Sequence, residues 1–233
     1  MYGGTGCGTL FSRAKQLIPW IHEKNLVFPN VEDALKEPNG LLCAGGDLSV
    51  ERLLNAYRKG IFPWFSENEP ILWWSPNPRL VLEPRKFKAR RSLRQSIRKQ
   101  GFEIRFNTAF KEIMSLCSST RENREGTWIS PTMRTAYDQL NHAGFGFSAE
   151  TYKNDVLVGG LYGVKIGRML FGESMVSLCA DASKAALAEI CNDPDRHNIE
   201  LIDCQVPTTH LESLGACLIS RQEFINRLQN LAP

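Results

Sequence analysis

No apolar run in the 233-residue chain approaches the roughly 20 residues that a membrane-spanning helix needs. Cysteine is present seven times but never as a CxxC pair. Cys179, Cys191, Cys204 and Cys217 are spaced too evenly for a zinc site or a small disulfide framework. Histidine is scarce: His22, His142, His197 and His210 show no ligand spacing, and no HExxH occurs. Also missing are a GxGxxG turn and a GxxxxGK[ST] loop; the glycines of Gly40–Gly46 come without a lysine. Met1–Leu10 carries neither the basic region nor the apolar stretch of a secretory leader, and Cys7 follows small polar residues rather than a lipoprotein signal. These absences set the expectation of a cytoplasmic protein with reduced, mostly buried thiols and no metal or membrane segment. The Gly-rich beginning reads as a loose tail over residues 1–15.

Apolar residues make up 42% of the chain, enough to bury a sizeable core. Charge is unevenly shared. Residues 1–110 hold 17 Lys/Arg against 10 Asp/Glu, whereas residues 111–233 hold 11 against 15. A polyanion would therefore meet the first half of the chain.

Helices are marked by caps and by apolar period. Ser49 precedes Val50, Leu53, Leu54 and Tyr57, with Gly60 as the stop. Ser130–Pro131 opens a stripe of Met133, Ala136, Tyr137 and Leu140 that ends at Gly144. Phe110, Ile113, Met114 and Cys117 form another stripe, and Ser220 with Glu223 has the form of a capping box. Such stripes specify core packing. Val156–Tyr162 and Met169–Ser177 read as strands about a Lys165–Arg168 turn, followed by a helix over Ala182–Ile190, a strand over Ile199–Val206 and a short helix over Thr208–Leu214. Strand, helix, strand implies a parallel βαβ unit within a mixed sheet. The Pro-rich stretch Pro70–Pro84 marks a boundary, which gives a small N-terminal domain over residues 1–77 and a larger one over 78–233.

Three patterns can carry chemistry. Arg85–Lys99 holds eight basic residues in fifteen and no acid: Arg85, Lys86, Lys88, Arg90, Arg91, Arg94, Arg98 and Lys99. With a helix from Ser92, Arg91, Arg94 and Arg98 share one side while Leu93 and Ile97 anchor the other, which favours phosphate contact over a solvated face. Strand alternation would put Phe171, Glu173, Met175 and Ser177 on one side, suiting an apolar side chain beside an amine or hydroxyl, although a carboxylate capping backbone fits as well. Asp203 and Gln205 would share a face of an otherwise apolar strand, either as a structural polar network or as catalytic groups. Trp64 and Trp128 sit beside Pro or Gly, where an indole can stack a nucleobase or simply fill a core.

Taken together, the strings Phe28–Pro29, NGLLCAGGDLS (Asn39–Ser49), AYRKGIFPWF (Ala56–Phe65), PILWWSPNPR (Pro70–Arg79) and GTWI (Gly126–Ile129) resemble the bacterial leucyl/phenylalanyl-tRNA–protein transferases. The resemblance continues through LVGGLYG (Leu157–Gly163), FGESM (Phe171–Met175), ASKAAL (Ala182–Leu187), LIDCQ (Leu201–Gln205) and SLGA (Ser213–Ala216). It implies an α+β protein with a small N-terminal domain and a larger GNAT-like acyltransferase domain of mixed sheet and flanking helices. It implies transfer of Leu or Phe, with Met as a further donor, from aminoacyl-tRNA to the N-terminal Arg or Lys of acceptor proteins, which marks them for degradation. The ester is already activated, so no cofactor is implied. By position, Asp203 and Gln205 match the catalytic residues and Glu173 a polar substrate-site residue. Trp64 and Trp128 match residues that hold the terminal adenosine, and Met175 one in the side-chain pocket, where Leu161, Phe171 and Ser177 are also expected. The basic run corresponds to the tRNA-binding region. Phe147, Tyr152 and Val176 depart from the family's usual His, Trp and Phe. On this reading Asp203→Asn should slow turnover while leaving the melting temperature nearly unchanged. Two other classes are weighed against it. An acyl-CoA N-acyltransferase would need a glycine-containing pyrophosphate loop, which LCADAS (Leu178–Ser183) lacks, and a non-catalytic RNA-binding module would leave Glu173, Asp203 and Gln205 unexplained.

Overall fold

The computed structural model describes residues 18–122 and 129–233; the tail read over residues 1–15 and Trp128 lie outside them. From the N-terminal side come β1 (Trp20–Ile21), β2 (Leu41–Gly45), α1 (Val50–Arg58), β3 (Phe62–Pro63) and β4 (Leu72–Trp74). Four strands make a small sheet in the order β1-β2-β4-β3. The chain continues through β5 (Arg79–Leu82), α2 (Arg91–Gln100), β6 (Glu103–Phe106), α3 (Phe110–Glu122), α4 (Pro131–His142), β7 (Gly146–Lys153) and β8 (Val156–Ile166). It ends with β9 (Met169–Ser177), α5 (Ala182–Asn192), α6 (Pro194–His197), β10 (Leu201–Gln205), α7 (Thr209–Glu212), β11 (Cys217–Ile219) and α8 (Arg221–Leu231). The second sheet has seven strands in the order β11-β5-β10-β9-β8-β7-β6.

The caps act as their chemistry requires. Ser49 Oγ accepts from the Arg52 N–H, Ser130 Oγ from Met133 and Ser220 Oγ from Glu223, each satisfying a helix-end donor. The capping box at α8 is half made, because the Glu223 carboxylate pairs with Arg227 at 2.7 Å instead of turning back. Gly101, at φ 64°, ends α2 in the left-handed region. The basic helix begins at Arg91 rather than Ser92.

Two hydrophobic clusters flank the large sheet. One takes Phe110, Ile113, Met133, Tyr137 and Phe224 from α3, α4 and α8, together with Tyr57 of α1 and Trp73 of the small sheet. The other takes Leu93 of α2 and Ala186, Leu187 and Ile190 of α5. The Pro-rich stretch is more than a linker: it carries the last strand of the small sheet and the first of the large one. The predicted unit β9-α5-β10 is present, and β10 lies parallel to β9, with Leu201 opposite Met169 and Asp203 opposite Phe171.

That pairing extends only to Asp203 and Phe171, although both strands run on. Each also carries a bulge. Tyr162 faces Ser174 and Gly163 faces Gly172, which leaves Glu173 as the extra residue of β9. Asp203 faces Val81 and Gln205 faces Leu80, which leaves Cys204 as the extra residue of β10. A bulge bends its strand and re-aims the neighbouring side chains. Gly163 belongs to this arrangement, since a Cβ there would stand 2.1 Å from the Phe171 carbonyl oxygen. The bulge also corrects the simple alternation along β9. Phe171 and Val176 join the first cluster, whereas Leu170 and Met175 join the second.

Candidate active site

Beyond the last β9–β10 pair lies a cleft of about 390 Å³. Ligands of sheets with parallel strands commonly bind off the carboxyl ends of those strands. Its walls include Phe62 and Trp64, Leu161 and Tyr162, Glu173 and Met175, Leu187, Asp203, Gln205 and His210. Both clusters border the cleft: Phe62 and Tyr162 reach it from the first, and Met175 and Leu187 from the second. Most of the lining is apolar, and its acids are Glu173 and Asp203.

The two acids are held differently. Asp203 is fully buried, and its carboxylate accepts from Arg79 Nε at 2.8 Å and Arg79 Nη2 at 2.7 Å. This two-point pairing fits the planar guanidinium fork. Arg79 is itself buried, stacked 4.7 Å from the centres of both Phe62 and Phe224, with a third bond to the Gly60 carbonyl at 3.3 Å. The other bond to Asp203 Oδ1 comes from the Gln205 backbone N–H at 3.0 Å. Gln205 stands at φ 57°, a conformation that a residue other than glycine adopts only when its surroundings hold it. Asp203 supplies that hold, and the Gln205 side chain lines the cleft.

Glu173 is half-buried, and each of its oxygens accepts from a tyrosine, Tyr57 at 2.7 Å and Tyr137 at 2.8 Å. The two phenol oxygens are 2.5 Å apart. Burial raises the Glu173 pKa from 4.5 to about 7; the tyrosine bonds and Arg79 oppose the rise, and the Asp203 charge adds to it. Burial, then the Glu173 charge, also keeps both phenols protonated, with pKa values well above the usual range.

Of the residues expected at substrate, Trp64, Leu161, Glu173, Met175, Asp203 and Gln205 all line the cleft. Leu161 and Met175 are direct cross-strand partners. Trp64 is 43% exposed, its ring 5.6 Å from that of Trp74. Phe171 and Ser177 are not part of the lining. Phe171 is buried against Tyr57, ring centres 4.8 Å apart, and Ser177 Oγ accepts from the Ser183 N–H at the start of α5. The departures Phe147, Tyr152 and Val176 also lie off the cleft. Phe147 packs on His197, Tyr152 lies under Arg105, and Val176 is in the first cluster.

All eight basic residues of the run are exposed. The run has no acid of its own, but the fold brings two to it: Asp195 to Arg85 and Glu83 to Lys86. Lys88, Arg90, Arg91, Arg94, Arg98 and Lys99 have no ion-pair partner among the described residues. Leu93 and Ile97 pack into the cluster that includes Met175 of the cleft wall. Among the described residues no helix is long and apolar enough to cross a membrane, and no group of three or more His, Cys, Asp or Glu could hold a metal.

Sequence reasoning missed Arg79, Tyr57 and Tyr137. The tyrosines lie on apolar helix stripes and look like core, which their rings are; only the fold reveals where the hydroxyls end. Arg79 closes the PILWWSPNPR string, where an arginine among prolines and tryptophans was the available signal.

A family model described as leucyl/phenylalanyl-tRNA protein transferase matches residues 81–229, and that of the family's N-terminal domain matches residues 46–77. A leucyl/phenylalanyl-tRNA–protein transferase of Thiobacillus denitrificans is 54% identical over 204 residues, 88% of this chain and 90% of that protein. One from Azoarcus sp. (strain BH72) is 51% identical over 213 residues, 91% of this chain and 90% of that one. A solved ribosomal-protein-alanine N-acetyltransferase from Brucella melitensis covers 48% of this chain at 10% identity, with a TM-score of 0.35. By the matched models and by half-identical relatives over nine-tenths of its length, the chain belongs to the leucyl/phenylalanyl-tRNA–protein transferase family.

Proposed function

We propose that this protein moves Leu or Phe from the 3′ end of a charged tRNA onto the N-terminal α-amine of a protein that begins with Arg or Lys. The observation that carries the reading is the cleft, where the Glu173 carboxyl, held by Tyr57 and Tyr137, stands beside an apolar slot and the Gln205 amide. The aminoacyl side chain lies against Leu161 and Met175, and the terminal adenine on Trp64. Slots of this kind separate substrates by only about 1–3 kcal/mol per methylene, so Met is accepted as well. Exposed cations of Arg85–Lys99 hold the tRNA backbone. Domains over residues 1–77 and 78–233, the second GNAT-like, belong to the same reading; the separate sheets and the β9-α5-β10 unit support it. A cytoplasmic setting belongs to the same proposal, since charged tRNA is found there and a new N-terminal residue would there mark the acceptor for degradation.

At neutral pH the acceptor arrives as an ammonium and must lose a proton before it can attack. Glu173 accepts that proton, and the Gln205 side chain orients the resulting amine. Nitrogen attacks the ester carbonyl, the C–N bond forms and the C–O bond to the ribose breaks. The second nitrogen proton ends on the leaving ribose oxygen, and Glu173 returns its own to solvent. Asp203 stays paired with Arg79 throughout and acts by holding Gln205 in place; much of the acceleration is orientation. The test is to incubate the protein with Leu-tRNA and a peptide beginning with Arg, then to weigh the peptide. A gain of one leucine residue is expected, with none on the same peptide acetylated at its N-terminus. An unchanged mass would overturn the assignment.

A further inference from the structure

Glu173 Oε1, Tyr57 Oη, Tyr137 Oη and Glu173 Oε2 form a closed run of three contacts, 2.7, 2.5 and 2.8 Å long. All three are hydrogen-bond distances for O–H···O. Each such bond needs one proton between its oxygens, and the two phenols bring only two. The third bond exists only when the carboxyl itself is protonated. Its O–H then donates to one tyrosine, that tyrosine to the other, and the other back to the second carboxyl oxygen. When the carboxyl is ionised, both phenols donate to it and the contact between them carries no proton.

We infer that Tyr57 and Tyr137 are positioning residues that close a ring with Glu173 able to hold either two or three protons, so that this carboxyl can take the proton of the attacking amine inside a cleft with apolar walls. The inference rests on the assignment of Glu173 as the base at the acceptor amine. A lone carboxylate in such surroundings would have no donor in its charged state and no acceptor in its neutral one. The ring provides partners for both states. It is also well fixed: Tyr57 comes from α1 and Tyr137 from α4, both phenols are buried, and Tyr137 meets Tyr162 of β8 edge-on at 6.1 Å. The charged groups that act on Glu173 are Asp203 of β10, which favours the neutral form, and Arg79 of β5, which favours the ionised one.

The experiment follows the Glu173 carboxyl by carbon NMR of protein labelled at the glutamate side-chain carboxyl, its signal identified by its loss in Glu173→Gln. In Tyr57→Phe/Tyr137→Phe the ionised form loses both donors, so the midpoint should rise by on the order of one pH unit or more. Each single Tyr→Phe variant should rise less, and the singles decide the matter if the double variant fails to fold. An unmoved midpoint in every folded variant overturns the ring. Transfer is measured in parallel as a ratio to the unaltered protein across pH, which cancels the titration of the acceptor. The deficit should be greatest below the original midpoint and shrink about two pH units above it. A deficit equal at every pH, despite a shifted midpoint, leaves the ring standing and removes Glu173 as the base. The two failures are thereby told apart.

Discussion

Asp203 and Glu173 are carboxylates on neighbouring strands, yet their surroundings give them different duties. Two guanidinium bonds and a backbone N–H fix Asp203, and breaking one side of a buried pair costs about 3 kcal/mol or more. This pairing reverses the expectation that Asp203→Asn spares the melting temperature, because Arg79 would be left buried without its counter-charge. That variant should lose both turnover and several degrees of melting temperature. Gln205→Ala isolates the chemistry, since its side-chain amide has no bond among the described residues. It should lower kcat by roughly a hundredfold with the melting transition nearly unchanged, and near-normal kcat in the folded variant would return LIDCQ to a structural role. Glu173 makes a different prediction. Its pKa is about 7 in the folded state against 4.5 ordinarily, so the folded protein keeps a proton that the unfolded chain loses between these values. Stability should fall as pH rises from about 4.5 to about 7 and then level off. Melting scans of the protein against Glu173→Gln should show that difference, and parallel pH curves would contradict it.

At the scale of elements, β9 and α2 decide different properties. Met175 and Leu161 face each other across β9 and β8, so Met175→Ala enlarges the slot proposed for the donor side chain. Leu transfer should drop by roughly tenfold and more than Phe transfer, because a larger cavity disfavours the smaller side chain. An equal loss for both donors would make Met175 core alone. For α2, replacing Arg91, Arg94 and Arg98 by Glu should raise KM for charged tRNA on the order of tenfold or more and flatten its salt dependence. Transfer from leucyl-adenosine should stay the same; parallel loss with both donors would mean that the helix serves folding. Both elements were legible in the sequence, β9 by its apolar run and α2 by its basic run, because such signals are local. The bulges were not. Alternation predicts Phe171, Glu173, Met175 and Ser177 on one face, and only the pairing of β8 with β9 inserts the extra residue that breaks it. Strand β7 was missed for a related reason: its buried Ser148, Glu150 and Thr151 erase the apolar pattern, while Glu150 turns to accept from Thr108 and the Ala109 N–H at the start of α3.

Across the whole molecule, the groups that line the cleft or hold its acids come from far apart in the chain: Tyr57 and Trp64, Arg79, Tyr137, Leu161 and Met175, and Asp203 with Gln205. The strings that mark the family were readable one by one, but the reason they belong together is the assembly, in which a single hydrophobic cluster runs from Ile21 through Tyr57 and Trp73 to Phe224. The residue hardest to read, Arg79, joins the parts, since it binds Asp203 of β10, the Gly60 carbonyl after α1 and the faces of Phe62 and Phe224. In the proposed mechanism, donor ester and acceptor amine meet where β9 and β10 part. Its most direct test is a crystal structure with a non-hydrolysable amide analogue of phenylalanyl-adenosine. The phenyl ring is expected against Leu161 and Met175, adenine on Trp64 and the carbonyl carbon within reach of Gln205 and Glu173. An analogue seated elsewhere, with this cleft empty, would contradict it.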